Sequence, residues 1–262
     1  HELVGLGKRK WTTVRGHEIG MIFQEPMATL NPIVKIRTQL TESMKDKGMT
    51  KKQKEERGIE LLRMVGISSP ETRMDCYPHE FSGGMRQRAM IAIALAANPH
   101  LLLADEPTTA LDVTIQDQII KLMMKLRKEL NMSMILVTHD MGVAAQMCDR
   151  IAVMYAGYIM EQADIGEIFS KPRHPYTYGL MSSLPNSEKK GEKLNSIKGA
   201  PPNLYDMPSG CPFHPRCSYC EEICKKKFPE MQEVSPGHFS RCHFIDKMKD
   251  VEGVIEKAKG GS

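Results

Sequence analysis

The chain has 262 residues, 41% of them hydrophobic, and a formal net charge of +4. That length suits one large domain or two small ones with a real core, and the scattered Lys and Arg give no reason to expect a nucleic-acid partner. No run approaches the roughly 18 apolar residues of a membrane-spanning helix and no signal-peptide pattern is present, so a membrane role would come through partner subunits.

Residues 1 to 18 are basic and mixed, with the single tryptophan at Trp11, and read as a surface loop with a short helix. Gly5-Leu6-Gly7-Lys8 lacks the G-x-x-x-x-G-K-S/T spacing of a phosphate loop. The chain starts at His1 rather than Met, which suggests a missing N-terminus. Ile19 to Phe23 read as a short strand ending in Gln24-Glu25-Pro26, and Met27 to Pro32 as a turn-rich loop. From Ile33 to Met74 the pattern is helical. Thr50 with Gln53 makes a capping box, and Ile59, Leu62, Met64 and Val65 suit an amphipathic helix. Cys76 stands alone and reads as structural.

Phe81 to Asp112 is the most informative stretch: F-S-G-G-M-R-Q-R-A-M-I-A-I-A-L-A-A-N-P-H-L-L-L-A-D-E-P-T-T-A-L-D. Ser82 suits an N-cap, and the helix start that it opens favours an anion. Gly83 and Gly84 let backbone approach a ligand, because no Cβ stands in the way. Leu101 to Ala104 read as a buried parallel strand, with Asp105 and Glu106 at its carboxyl end, where open α/β sheets place their ligands. An anion-binding helix start followed by two carboxylates suggests nucleotide phosphate chemistry.

Ile115, Ile119, Leu122, Met123, Leu126 and Leu130 then repeat at helical spacing. Ser133 to Val137 read as the next buried strand, running into Thr138-His139-Asp140. A helix from Met141 to Cys148, strands Ile151 to Tyr155 and Tyr158 to Ala163, and a capping box of Asp164 with Glu167 follow. Strands alternating with helices argue for a largely parallel sheet with covered faces.

From Lys171 the composition shifts to Pro, Gly and His, and sheet periodicity fades. His174-Pro175-Tyr176-Thr177 precedes a short helix ended by Pro185, and Ile197-Lys198-Gly199-Ala200-Pro201-Pro202 reads as linker. Five of the 7 cysteines fall between Cys211 and Cys242. In a reducing compartment such clustering favours a metal over disulfides. Only Cys217 with Cys220 and Cys220 with Cys224 give the close pairs usual for zinc. His214, His238 and His243 are nearby substitutes and read as loop histidines. The tail beyond Ile245 looks frayed.

These motifs, in this order, resemble the ATP-binding cassette (ABC) ATPases over about Gly16 to His243. I-F-Q-E-P-M-A-T-L-N-P resembles the Q-loop, Ser82-Gly83-Gly84 the signature, Leu101 to Glu106 the Walker B strand, Asp112 the D-loop and His139 the H-loop. S-G-G-M-R-Q-R, H-P-Y-T and I-x-G-x-P-P are similar to the peptide importers. The resemblance implies an α/β, P-loop-NTPase-like core with a mostly parallel sheet, an inserted helical subdomain and a Cys-rich extension. It divides the chain into 1–32 (partial core with the Q-loop), 33–80 (helical subdomain), 81–170 (signature and core), 171–245 (extension) and 246–262 (tail).

The resemblance also implies ATP and Mg²⁺. Asp105 and Gln24 would face the metal, Glu106 would be the general base, and His139 would bond the γ-phosphate. Ser82, Gly83, Gly84 and Asp112 would serve the nucleotide of a second cassette. A set of Cys211, Cys217, Cys224 and Cys242 on a 4Fe-4S cluster is implied, with Cys220 extra; zinc and a metal-free site stay open. The implied partners are a second ATPase subunit, two transmembrane permeases and, through them, an extracytoplasmic substrate-binding protein, with no nucleic acid. The implied location is the cytoplasmic face of the cell membrane. The family's Walker A loop is absent from these residues, so the chain is expected to be a fragment of a cassette and a poor ATP binder by itself. A soluble ABC-type ATPase acting on nucleic acid or ribosomes, and a non-catalytic subunit supplying only the signature, are the alternatives.

Overall fold

A computed structural model describes residues 2–25, 29–44, 48–109, 111–183 and 196–248. The chain divides into two compact units, His1–Val143 and Ala144–Ser262.

The first unit opens with α1 (Lys8–Val14) and β1 (Ile19–Ile22). Three helices follow: α2 (Ile36–Glu42), α3 (Lys51–Met64) and α4 (Pro70–Arg73). The predicted capping box forms at α3, where Gln53 N–H donates to Thr50 Oγ1 at 3.3 Å and Thr50 N–H to Gln53 Oε1 at 2.8 Å. Next come α5 (Gly83–Leu95), β2 (Leu101–Asp105), α6 (Val113–Glu129) and β3 (Ser133–Val137). α5 buries Gln87, Ala89, Met90, Ile91, Ala92, Ala94 and Leu95, apolar nearly all round, as a helix enclosed by its neighbours must be. It packs against β1, α2 and α3. Gly20 allows the approach to β1, since a Cβ there would stand 2.6 Å from the Ala94 carbonyl oxygen.

The sheet runs β1-β2-β3, all parallel, with Ile22 opposite Ala104 and Asp105 opposite Val137. The expected parallel core is present, but the expectation of covered faces needs correction. Ile22 and Ala104 are buried on the α5 side. Met21, Leu103 and Ile135 share a register row on the other, where Ile135 and, further along β3, Val137 are 53% and 55% exposed. β3 is therefore not the buried strand its composition suggests.

The second unit continues from α7 (Met141–Met147) into β4 (Arg150–Tyr155) and β5 (Tyr158–Asp164), an antiparallel hairpin turned at Gly157. α8 (Ile165–Ser170), α9 (Pro175–Ser182) and α10 (Glu222–Lys226) follow, then β6 (Gln232–Ser235) and β7 (His238–Ser240). The strand order is β4-β5-β7-β6, antiparallel throughout. The extension thus supplies two strands where its sequence reads as irregular. Their signal is Pro236-Gly237 between short β-prone runs, with Gly237 at φ +75°. α8 starts at Asp164 as expected, but without its capping box. The Asp164 carboxylate lies 3.4 Å from Arg150 Nε, and Glu167 points toward His238 at 3.9 Å. The tail expected to fray from 246 lies, from 249 on, outside the described residues, as do Pro26, Met27, Ala28 and Pro185.

Candidate functional site

Parallel strands in register deliver their carboxyl ends to one place. Gln24 follows β1, Asp105 closes β2, and His139 lies two residues beyond β3. Gln24 Nε2 donates to Glu106 Oε2 at 2.9 Å, and His139 Nδ1 lies 2.9 Å from Glu106 Oε1. Gln24 and His139, 82 and 33 positions from Glu106 in the chain, are thus both joined to it.

Glu106 itself is strained. Its φ is +43°, in the left-handed region that costs a non-glycine residue about 1–3 kcal/mol. Its N–H still donates to the Val137 carbonyl at 2.9 Å, so the ladder carries on through the strained residue and aims its side chain at Gln24 and His139. Thr109 Oγ1 adds a third hydrogen bond, to Glu106 Oε2 at 2.8 Å. The hydrogen bonds from His139 and then Thr109 hold the carboxyl below its usual range, because they favour the charged form. The His139 ring is 77% exposed and free to meet a ligand. Asp105, half-buried, closes β2 directly before Glu106.

Ser82 and Asp112 spend their side chains as caps. Ser82 Oγ accepts from Met85 N–H at 3.3 Å and Asp112 Oδ1 from Ile115 N–H at 2.9 Å. Gly83 faces open space, whereas a Cβ on Gly84 would stand 3.2 Å from Ile115 Cγ2, so Gly84 also has a packing reason to be glycine. The bonds to Glu106 come from Gln24, Thr109 and His139; the signature residues lie apart at the start of α5. Gln87, buried in α5, ties that helix to the carboxylate turn by donating to the Pro107 carbonyl at 2.5 Å. Sequence reading missed Thr109 and Gln87. The signal for Thr109 is a Thr three residues after a carboxylate in a turn-forming D-E-P-T-T run.

In the second unit, Cys211, Cys217, Cys224 and Cys242 line one cavity of about 20 Å³ together with His174 and Phe213. Cys220 is not among the lining residues, and its Sγ faces the Glu221 carbonyl at 3.6 Å. Burial pushes the Cys211 thiol up to about 11 and the Cys217 thiol up to about 12, and raises Cys242. Gly210, at φ +70°, has no room for a Cβ against the Cys224 carbonyl, to which Cys211 N–H donates at 2.8 Å. No group of three or more His, Cys, Asp or Glu among the described residues stands close enough to hold a metal ion. The reading of three loop histidines fails for His238. It lies in β7, is 1% exposed and meets Glu161 at 2.7 Å.

Comparison with known proteins agrees with this layout. The family described as ABC transporter matches residues 5–109, and the oligopeptide/dipeptide transporter C-terminal region matches 160–224. The oligopeptide transport ATP-binding protein OppD of Bacillus subtilis is 52% identical over 240 residues, covering 91% of this chain and 67% of that protein. OppD of Salmonella typhimurium is 47% identical over 242 residues, covering 92% and 72%. A putative peptide import ATP-binding protein of Brucella melitensis is 48% identical over 248 residues, covering 92% and 73%. Among solved structures, a dimeric ATP-binding cassette in a post-hydrolysis state bound to ADP and Pi is 30% identical, with a TM-score of 0.54 over 62% of this chain and 68% of that one. No described helix is long and apolar enough to cross a membrane. With a Gln–Glu–His group on a parallel sheet, a signature helix and the H-P-Y-T extension, the chain belongs to the ABC transporter ATP-binding proteins that carry the oligopeptide/dipeptide transporter C-terminal region.

Proposed function

We propose that this chain is the ATP-hydrolysing subunit of an ABC importer of peptides, paired with a second cassette beneath two permeases at the cytoplasmic face of the membrane. The observation that carries the reading is the convergence of Gln24, Glu106 and His139 beside Asp105 at the carboxyl ends of β1 to β3. The names of the relatives support peptides as cargo. The solved cassette dimer bound to ADP and Pi supports a pair of cassettes. An extracytoplasmic binding protein acting through the permeases completes the proposed assembly.

Transfer of a phosphoryl group to water needs positioning and charge neutralisation more than covalent chemistry. Asp105 and Gln24 would hold Mg²⁺, which would supply charge neutralisation for the phosphoryl group. Glu106 stays ionised at neutral pH, and so can take a proton from the attacking water. Gln24 and Thr109 fix its Oε2, and His139, bonded to Oε1, has an exposed edge to offer a γ-phosphate. Ser82, Gly83, Gly84 and Asp112 are assigned to the partner's nucleotide. Residues 33–80 are assigned to coupling with the permeases, and 171–245 to a structural extension.

We read the four cavity-lining cysteines as ligands of a structural 4Fe-4S cluster. What supports the reading is that these four cysteines, and not Cys220, line one cavity, and that the family resemblance picks the same four. Bound there, the cluster would cross-link the extension. The absorption spectrum of anaerobically purified protein separates the two metals: broad iron–sulfur bands are expected, and a colourless protein holding zinc would overturn this assignment. For the ATPase, Glu106→Gln in the assembled transporter is expected to lower turnover by about 10²–10⁴-fold with ATP binding kept. Unchanged hydrolysis would remove Glu106 as the base.

A further inference from the structure

Three of the four cavity cysteines are placed locally. Cys211 N–H donates to the Cys224 carbonyl at 2.8 Å, and Cys217 N–H to the His214 carbonyl at 3.3 Å, within one loop. Cys242 arrives from elsewhere, at the end of β7, and is buried. What holds it there is a set of buried polar contacts that the nucleotide chemistry does not use.

Glu161, on β5, is 0% exposed, which a carboxylate tolerates only with partners. Its Oε1 accepts from Arg173 N–H at 2.5 Å and lies 2.7 Å from His238 Nε2. Ser240 Oγ donates to the Arg173 carbonyl at 2.8 Å. Arg241 N–H donates to the Met160 carbonyl at 2.7 Å, its Nε to the Ile159 carbonyl at 3.1 Å and its Nη1 to the Pro229 carbonyl at 3.1 Å. His174, the first residue of H-P-Y-T, is buried, accepts from Tyr176 N–H at 3.0 Å and hydrogen-bonds the Arg241 backbone. Six of these contacts reach residues 238–241, directly before Cys242, and the other two, Arg173 to Glu161 and Tyr176 to His174, hold the residues that make them. Buried polar contacts of this kind act as a device of register, because a slipped strand would leave the buried groups without their partners.

We propose that Glu161, His238, Ser240 and His174 are positioning residues of the cysteine site: a buried clasp that seats Cys242 opposite the Cys211–Cys224 loop. This gives the H-P-Y-T element a physical task. The metal assignment above rests on the same cavity, but the seating of Cys242 is separable from it.

The test uses two variants, Glu161→Gln, which keeps the shape and replaces the carboxyl group by an amide, and Ser240→Ala, which cuts a different arm. Native alkylation of the purified chain, before and after chelation, is read for each cysteine by mass spectrometry, alongside bound iron and zinc. With metal first removed by chelation from every sample, Cys242 is expected to react at least about tenfold faster in both variants than in the unmodified protein, as local opening predicts, with Cys211, Cys217 and Cys224 changed by less than about twofold. Iron held by the unmodified protein is expected to fall in both variants. Between the chelated samples, unchanged Cys242 reactivity, or all four thiols rising together, would overturn the clasp. A wild-type protein without metal that still shows selective exposure of Cys242 in the variants would sink the cluster reading and leave the clasp standing.

Discussion

Glu106 makes its three hydrogen bonds from three different directions: Gln24 after β1, Thr109 in its own turn and His139 after β3. Thr109→Val removes one of them, a loss of about 1 kcal/mol, so turnover should fall roughly five- to tenfold with the KM for ATP little changed. Thr109 favours the charged carboxylate, so its removal raises the Glu106 pKa and moves the acid limb of the pH–rate profile to higher pH. Thr109→Ser, which keeps the hydroxyl, should restore both; a Val variant with an unshifted profile would deny Thr109 this task. Gln24, Glu106 and His139 were legible in the sequence because each sits in a motif of fixed order. Thr109 was not singled out, and the Glu161–His238 pair could not be, because it depends on strand pairing across 77 residues that no local spacing reports.

At the scale of elements, the close crossing of β1 and α5 sets how the first strand is placed. Gly20→Ala would drive a Cβ into the Ala94 carbonyl, a backbone atom with little freedom to yield. A loss of about 1–3 kcal/mol is expected, read as a lower denaturation midpoint; an unchanged midpoint would show that β1 and α5 shift apart freely. Local signals served well here. The capping box at α3, the Ser82 cap on α5 and the apolar stripe of helical spacing on α6 all appear where the sequence puts them. They served poorly where tertiary context decides. Asp164 turns to Arg150 instead of capping α8, and the apolar residues of β3 are exposed because α5 lies on the opposite side of the sheet. The β6–β7 hairpin was missed because its strands are short and rich in polar residues, and they gain their stability by joining β5.

For the molecule as a whole, the two units carry different dependencies. The second holds His174 neutral, since burial pushes its pKa down from 6.5 to about 3. Between those values the unfolded chain binds a proton that the folded chain does not. Stability therefore rises with pH in that window and is lost as pH falls below about 6.5, by up to roughly 4 kcal/mol near pH 3. The denaturant midpoint of the second unit should fall on acidification from pH 7 to pH 4, and His174→Gln should flatten that slope; equal slopes would contradict a buried neutral imidazole. The first unit carries the Gln–Glu–His group and its matched ABC transporter region, the second the matched peptide-transporter region. The central claim is that ATP hydrolysis at Glu106 drives peptide import, and the uptake of a labelled oligopeptide by vesicles bearing the assembled transporter tests it most directly. ATP-dependent uptake that disappears in Glu106→Gln is the predicted result; uptake that survives the substitution, or none by the unmodified assembly, would contradict it.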